Sequence, residues 1–186
     1  GGSLGGKARG LAFMAVFLKR FDWKNRYPEV EIQVPETAFV GTDIFDEFIE
    51  DNKIHEKLSS EMRDAEINAL FQSGDFNSEL IIDLKTYLKY NIKPLAVRSS
   101  SLLEDSVFQP FAGIFDTFMI PNCNDDIDIR LNHLLTAMKL VYASTFHKKS
   151  QSYMKTTGNR IDDEKMGIII QNVVGSLTVS TSNDNI

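Results

Sequence analysis

Three stretches of this 186-residue chain carry residue types suited to holding a phosphorylated ligand. The first, Gly1-Gly2-Ser3-Leu4-Gly5-Gly6-Lys7-Ala8, fits the spacing G-x-x-x-x-G-K, in which backbone N–H groups and a lysine face phosphate oxygens. Ala8 stands where a metal-reaching Ser or Thr belongs, and Ile168-Ile169-Ile170 ends in Gln171 rather than a metal-binding Asp. An ordinary phosphate loop is therefore not expected, and a flexible leader into a helix explains this segment equally well. The second stretch is Leu95-Ala96-Val97-Arg98, a short apolar strand ending in a permanent cation inside a Ser99-Ser100-Ser101 loop. A guanidinium forks onto phosphate or carboxylate oxygens; taken singly, a surface ion pair with Glu104 or Asp105 accounts for Arg98 better. The third is Phe111-Ala112-Gly113-Ile114-Phe115-Asp116-Thr117, where Gly113 permits close backbone approach and Thr117 adds a hydroxyl. Taken singly it is a turn into a strand.

Other chemistries find little support. His55, His133 and His147 have no metal-ligand spacing with one another or with Cys123, so a zinc site is not expected. The serines lack a G-x-S-x-G context and a placed histidine. Glu104-Asp105 are adjacent, which suits a turn or cap rather than a glycosidase pair.

These stretches must be positioned by helices and strands that the periodicity outlines. Leu11, Met14, Ala15, Leu18 and Phe21 predict a helix over Lys7–Phe21. After Tyr27-Pro28, the alternation of Val30, Ile32 and Val34 predicts a half-buried strand, and Thr37–Val40 a second one. Thr42 is placed to cap a helix over Asp43–Asp51, and amphipathic helices follow at Glu61–Gln72 and Ser78–Tyr90. Ile114–Ile120 reads as a strand. Ile127, Leu131, Leu134, Met138 and Val141 mark a long helix over Asp125–Phe146, running on towards Thr157 with Gly158 as its stop. Lys165–Val174 closes as a buried strand, and Ser176–Ile186 is a polar tail without periodicity. Helices and strands mix, which is an α+β or α/β pattern.

Composition sets the outer bounds. Hydrophobic residues make up 42% of the chain, enough for one sizeable core. The net charge of −6 disfavours a general grip on nucleic acid or anionic membrane and leaves room for a local basic pocket. No apolar run approaches the roughly 18 residues of a spanning helix. One cysteine cannot form an internal disulfide, and no signal peptide opens the chain, so a reducing, cytoplasmic setting is expected.

Taken together and in order, Gly5-Gly6-Lys7-Ala8-Arg9-Gly10-Leu11, Pro94-Leu95-Ala96-Val97-Arg98-Ser99-Ser100, and Phe111-Ala112-Gly113 with Asp116-Thr117 resemble one family. It is the N-terminal nucleotide-binding domain of phosphoenolpyruvate synthase and pyruvate phosphate dikinase. Glu104-Asp105-Ser106, Gln109-Pro110, Pro121-Asn122 and Lys139-Leu140-Val141-Tyr142-Ala143-Ser144 extend the resemblance, which covers Gly5 to Gly175. The resemblance implies an α+β, ATP-grasp-like lobe: a mixed sheet with flanking helices over residues 1–175, then a truncated or interrupted tail at 176–186. It implies ATP as the ligand, with Lys7 and Arg98 catalytic and Lys7, Arg98, Gly113, Thr117, Val173 and Val174 contacting the nucleotide. The last two match a hinge segment that meets the adenine edge. Mg²⁺ is expected in the full-length enzyme with ligands outside this chain. The implied partners are a phospho-histidine domain and a pyruvate-binding domain of the same parent chain, with no nucleic acid and no membrane. The fragment alone is then expected not to turn over. Two alternatives share the lobe: a non-catalytic nucleotide sensor, and a phosphotransferase acting on an antibiotic or a glucan.

Overall fold

The two central strands of the sheet are buried almost throughout, and their register gives the sheet two unlike faces. The computed structural model of the protein describes residues 2–101, 113–157 and 164–175. Within them, β1 (Thr37–Val40), β2 (Leu95–Ser101), β3 (Thr117–Ile120) and β4 (Met166–Asn172) form one sheet in the order β1-β4-β2-β3. All three pairings are antiparallel. The mixed sheet implied by the resemblance is not what these strands form. β1 and β2 do run the same way, but β4 is inserted between them in the opposite direction. The class is α+β.

On one face Val40, Leu95, Val97, Ile120, Met166, Ile168 and Ile170 are buried and join the hydrophobic core. The other face carries Thr37, Ala96, Arg98, Ser100, Thr117, Gly167, Ile169 and Gln171, the residues in alternate register. The core is completed by α3 (Thr42–Asp51), α5 (Asp64–Gln72), α6 (Ser78–Tyr90) and α7 (Ile127–Ser144). Leu131, Leu134, Met138 and Val141 of α7 are buried, as their spacing predicts, and Ile127 packs partly buried against the core. Short helices α2 (Trp23–Arg26) and α4 (Ile54–Lys57) were not legible in the periodicity. Helix α1 (Gly6–Arg20) docks its first turn on the polar face, where the Ala8 N–H donates to Ser100 Oγ at 3.0 Å.

Several expected boundaries move. Val30–Val34 is not a strand: the segment joins no sheet among the described residues, and Val30 and Ile32 stay 52% and 42% exposed. Gly41, not Thr42, is the N-cap of α3; Thr42 enters the first turn, and its Oγ1 accepts from the Ser3 N–H at 3.0 Å. Helix α5 starts at Asp64 rather than Glu61, where the Glu66 carboxylate accepts from the Arg63 N–H at 2.8 Å. β2 does not end at Arg98. It continues through Ser101 because β4 pairs with it to Met166, and Ser100 Oγ donates to Leu4 O at 2.9 Å, satisfying a hydroxyl that is fully buried. β3 begins only at Thr117. The long helix stops at Ser144, and α8 (Lys148–Thr157) is separate. Phe146 turns inward onto Phe71, with ring centroids 5.5 Å apart, while Ser150 Oγ caps Ser144 O at 2.6 Å. Gly158 and Ser176–Ile186 lie outside the described residues.

Candidate functional site

A glycine loop, a cation and a cleft of mixed lining succeed one another along β4. At the first end, Gly5 adopts φ +71° and lies so close to β2 that a Cβ would sit 1.9 Å from Ser100 O. Gly167 of β4 makes the matching allowance, since a Cβ there would meet Leu4 O at 2.9 Å. Only glycine gives both the left-handed backbone and this approach at position 5. The contact seats the start of α1 on the sheet. That helix has no acidic residue in its first turn and no side-chain cap, so its N-terminal partial positive charge is not offset from within the helix. Lys7 Nζ reaches Ser99 Oγ at 3.5 Å, beside the part of β2 that extends beyond its pairing with β3.

Arg98 follows on β2, opposite Ile169 of β4 and Thr117 of β3. Its side chain is half-buried, and Nη1 donates to Gln171 Oε1 at 3.4 Å. Glu104 and Asp105, the alternative partners, lie outside the described residues, as do Ser106, Gln109-Pro110 and Phe111-Ala112. Gln171 Nε2 in turn donates to Thr37 Oγ1 at 3.2 Å, and Thr37 Oγ1 donates to Pro35 O at 2.7 Å.

Beyond Gln171 the chain leaves the sheet. The Val173 N–H donates to Pro94 O at 2.9 Å, and Val173 and Val174 line a cleft of about 680 Å³ whose walls are apolar at Val34, Pro35 and Pro94 and polar at Gln33, Glu36, Lys93 and Asn172. A buried polar network fixes this exit. Asn172 Nδ2 donates to Glu36 Oε2 at 3.2 Å, and Asn172 Oδ1 accepts from Asn91 Nδ2 at 2.7 Å. Asn122, at φ +52°, donates to Asn91 O and Lys93 O, while Arg130 Nη1 donates to Leu88 O at 3.0 Å and Asn91 O at 3.2 Å. From Ile169, opposite Arg98, to Val173 is four residues, roughly 13 Å of extended chain.

The structure thus sets Thr117 directly opposite Arg98 and brings Lys7 to Ser99, the next residue of β2, whose side chain alternates to the core face; Val173 and Val174 follow the far end of β4. Gly113 stands apart from this row. It is exposed at φ +72°, with nothing within 4 Å of a would-be Cβ, and its carbonyl accepts from Lys149 Nζ of α8 at 2.5 Å. Among the described residues no three His, Cys, Asp or Glu side chains converge where they could hold a metal ion. Sequence reasoning missed Thr37, Gln171 and Asn172. The one visible signal was Gln171 itself, a polar residue closing an apolar run.

Comparison with known proteins decides the family. Residues 2–181 match the AMP/ATP-binding domain of pyruvate phosphate dikinase. The chain belongs to that family. It is also 30% identical over 148 residues to an uncharacterized phosphotransferase of Bacillus subtilis (strain 168), YvkC. That match covers 78% of this chain and 16% of the relative, so the chain spans about one sixth of the relative's length. Membership makes the chain an AMP/ATP-binding domain of the pyruvate phosphate dikinase type. No described helix is long and apolar enough to cross a membrane.

Proposed function

We propose that ATP lies along β4 on the polar face of the sheet. Its phosphates meet Lys7, Arg98 and the start of α1, and its adenine enters the cleft at Val173 and Val174. The observation that carries this reading is the order of the site: Arg98, the helix N-terminus and Lys7 at the Ser99 edge of β2 lie at one end, and a cleft walled by Val34, Pro35, Val173 and Val174 at the other. A nucleotide has the same polarity along its length. Thr117, beside Arg98, adds a hydroxyl to the phosphate end. Gly113, at φ +72° and without a side chain, offers its backbone to the nucleotide phosphates. Lys7 and Arg98 are the catalytic pair: they offset charge on the transferring phosphoryl group as its bond to the leaving phosphate breaks. Mg²⁺ would neutralise charge on the phosphates in such a transfer, and its protein ligands would come from outside this chain.

In the longer protein, ATP phosphorylates a histidine on a separate domain, which passes the phosphoryl group to pyruvate on another. Residues 1–175 are the first lobe of that machine, working in the cytoplasm, and this chain alone does not turn ATP over. Calorimetric titration with ATP and with adenosine tests the reading. Arg98→Ala and Lys7→Ala are expected to weaken ATP by about 10- to 100-fold, the range for hydrogen bonds to charged groups, and to leave adenosine unchanged. Wild-type ATP affinity in Arg98→Ala would remove Arg98 from the site.

A further inference from the structure

Arg98 is not simply a long side chain lying on the sheet. Its Nη1 donates to Gln171 Oε1 at 3.4 Å, Gln171 Nε2 donates to Thr37 Oγ1 at 3.2 Å, and Thr37 Oγ1 donates to Pro35 O at 2.7 Å. The direction of every link is forced. A guanidinium only donates, so the carboxamide must turn its oxygen towards Arg98 and its NH₂ towards Thr37. The Thr37 hydroxyl accepts that proton and has one proton of its own, which goes to a carbonyl that can only accept. No flipped carboxamide satisfies the same partners, and Gln171 is 9% exposed, so water is a poor substitute.

We propose that Thr37, acting through Gln171, is a positioning residue that sets the orientation of the Arg98 guanidinium. The proposal rests on the reading that Arg98 meets nucleotide phosphates. Thr37 and Gln171 stand directly opposite each other on β1 and β4, so the bond between them alone would be an ordinary cross-strand pair. The chain of bonds runs on at both ends: the first link reaches a cation two strands away from Thr37, and the third ends on Pro35, a wall of the cleft at Val173 and Val174. Removing the Thr37 hydroxyl leaves the Gln171 NH₂ without its acceptor. The carboxamide is then free to rotate and present a donor to a donor, and Arg98 loses its fixed pose.

The test uses Thr37→Val, which keeps the shape and removes the hydroxyl, and Thr37→Ser, which restores it. Two readouts apply: ATP and adenosine titration, and the side-chain N–H resonances of Arg98 in ¹⁵N-arginine-labelled chain. Thr37→Val is expected to weaken ATP about threefold to tenfold, the range for one net hydrogen bond, with adenosine unchanged. It should also broaden or average the Arg98 resonances, and Thr37→Ser should return both to wild type. In an Arg98→Ala background, Thr37→Val should cost nothing further. An Arg98 resonance unmoved by Thr37→Val overturns the proposal, as does an ATP loss that persists without Arg98. Arg98→Ala with wild-type ATP affinity sinks the phosphate-site reading instead, and the resonances still judge the positioning. Gln171→Met cuts the chain at its next link and serves if Thr37→Val does not fold.

Discussion

The side chains of Arg98, Gln171 and Thr37 are held by one another, whereas the hydroxyl of the largest fully buried side chain has no partner among the described residues. Tyr142 is fully buried among Phe45, Phe48 and Phe76, with ring centroids 4.9, 5.8 and 6.0 Å away, and its hydroxyl has no hydrogen-bond partner among the described residues. A hydroxyl buried without a partner costs about 1–3 kcal/mol in proteins, so Tyr142→Phe should stabilise the fold, by roughly 1 kcal/mol. Urea unfolding at neutral pH measures this, and a loss of stability would mean the hydroxyl is satisfied. The pH dependence has a fixed sign. Burial, aided by the nearby Asp43 and Asp46 charges, raises the Tyr142 pKa well above its ordinary value of 10.0. The unfolded chain then ionises first, so the contribution is whole below about pH 10 and is lost as pH rises above it. Alkaline destabilisation should therefore be shallower in Tyr142→Phe than in wild type.

At the scale of elements, amphipathic stripes were legible wherever the apolar spacing recurs over several turns. α1, α6 and α7 lie near where Leu11, Leu84 and Leu131 with their neighbours put them. Legibility failed where a tertiary contact decides the boundary. Arg98-Ser99-Ser100-Ser101 reads as a polar loop, yet it is strand, because β4 pairs with it and the buried Ser100 hydroxyl bonds the Leu4 carbonyl. Val30, Ile32 and Val34 alternate like a strand, yet they join no sheet among the described residues. Two glycines of α1 and its approach separate contact from propensity. Gly5→Ala must accept φ +71° and a Cβ 1.9 Å from Ser100 O, so the loop must move. It is expected to cost at least about 2 kcal/mol, from left-handed strain plus the clash. Gly10→Ala lies inside α1 with nothing within 4 Å of the new methyl and should gain about 0.5–1 kcal/mol. Opposite shifts in the urea midpoint would bear this out; equal shifts would mean that Gly5 is not seated against β2.

For the whole molecule, charge and apolar surface are unevenly distributed, and neither shows in an average. The net charge of −6 spans a chain whose proposed phosphate end carries two cations, Lys7 and Arg98. Order in the sequence revealed that end, since each motif alone had a plainer explanation; the hydrogen bonds through Thr37 and Gln171 join residues 134 positions apart and left no local trace. The apolar surface is equally local. Phe13, Phe17, Phe21, Trp23 and Tyr27 form a ladder of rings along α1 and α2, with successive centroids 6.1, 5.2, 4.9 and 6.2 Å apart. Phe13 is 68% exposed and Phe21 45%, so this ladder faces outward rather than into the core. A contiguous apolar patch binds environment-sensitive dyes such as anilinonaphthalene sulfonate, where scattered surface hydrophobes do not. The folded chain should therefore enhance the dye's emission, and Phe13→Gln with Phe17→Glu should cut that enhancement by about half, because two of the five rings are removed. Neither residue belongs to the buried core, so stability should change by no more than about 1 kcal/mol. Dye emission that survives the double substitution would place the exposed apolar surface elsewhere on the molecule.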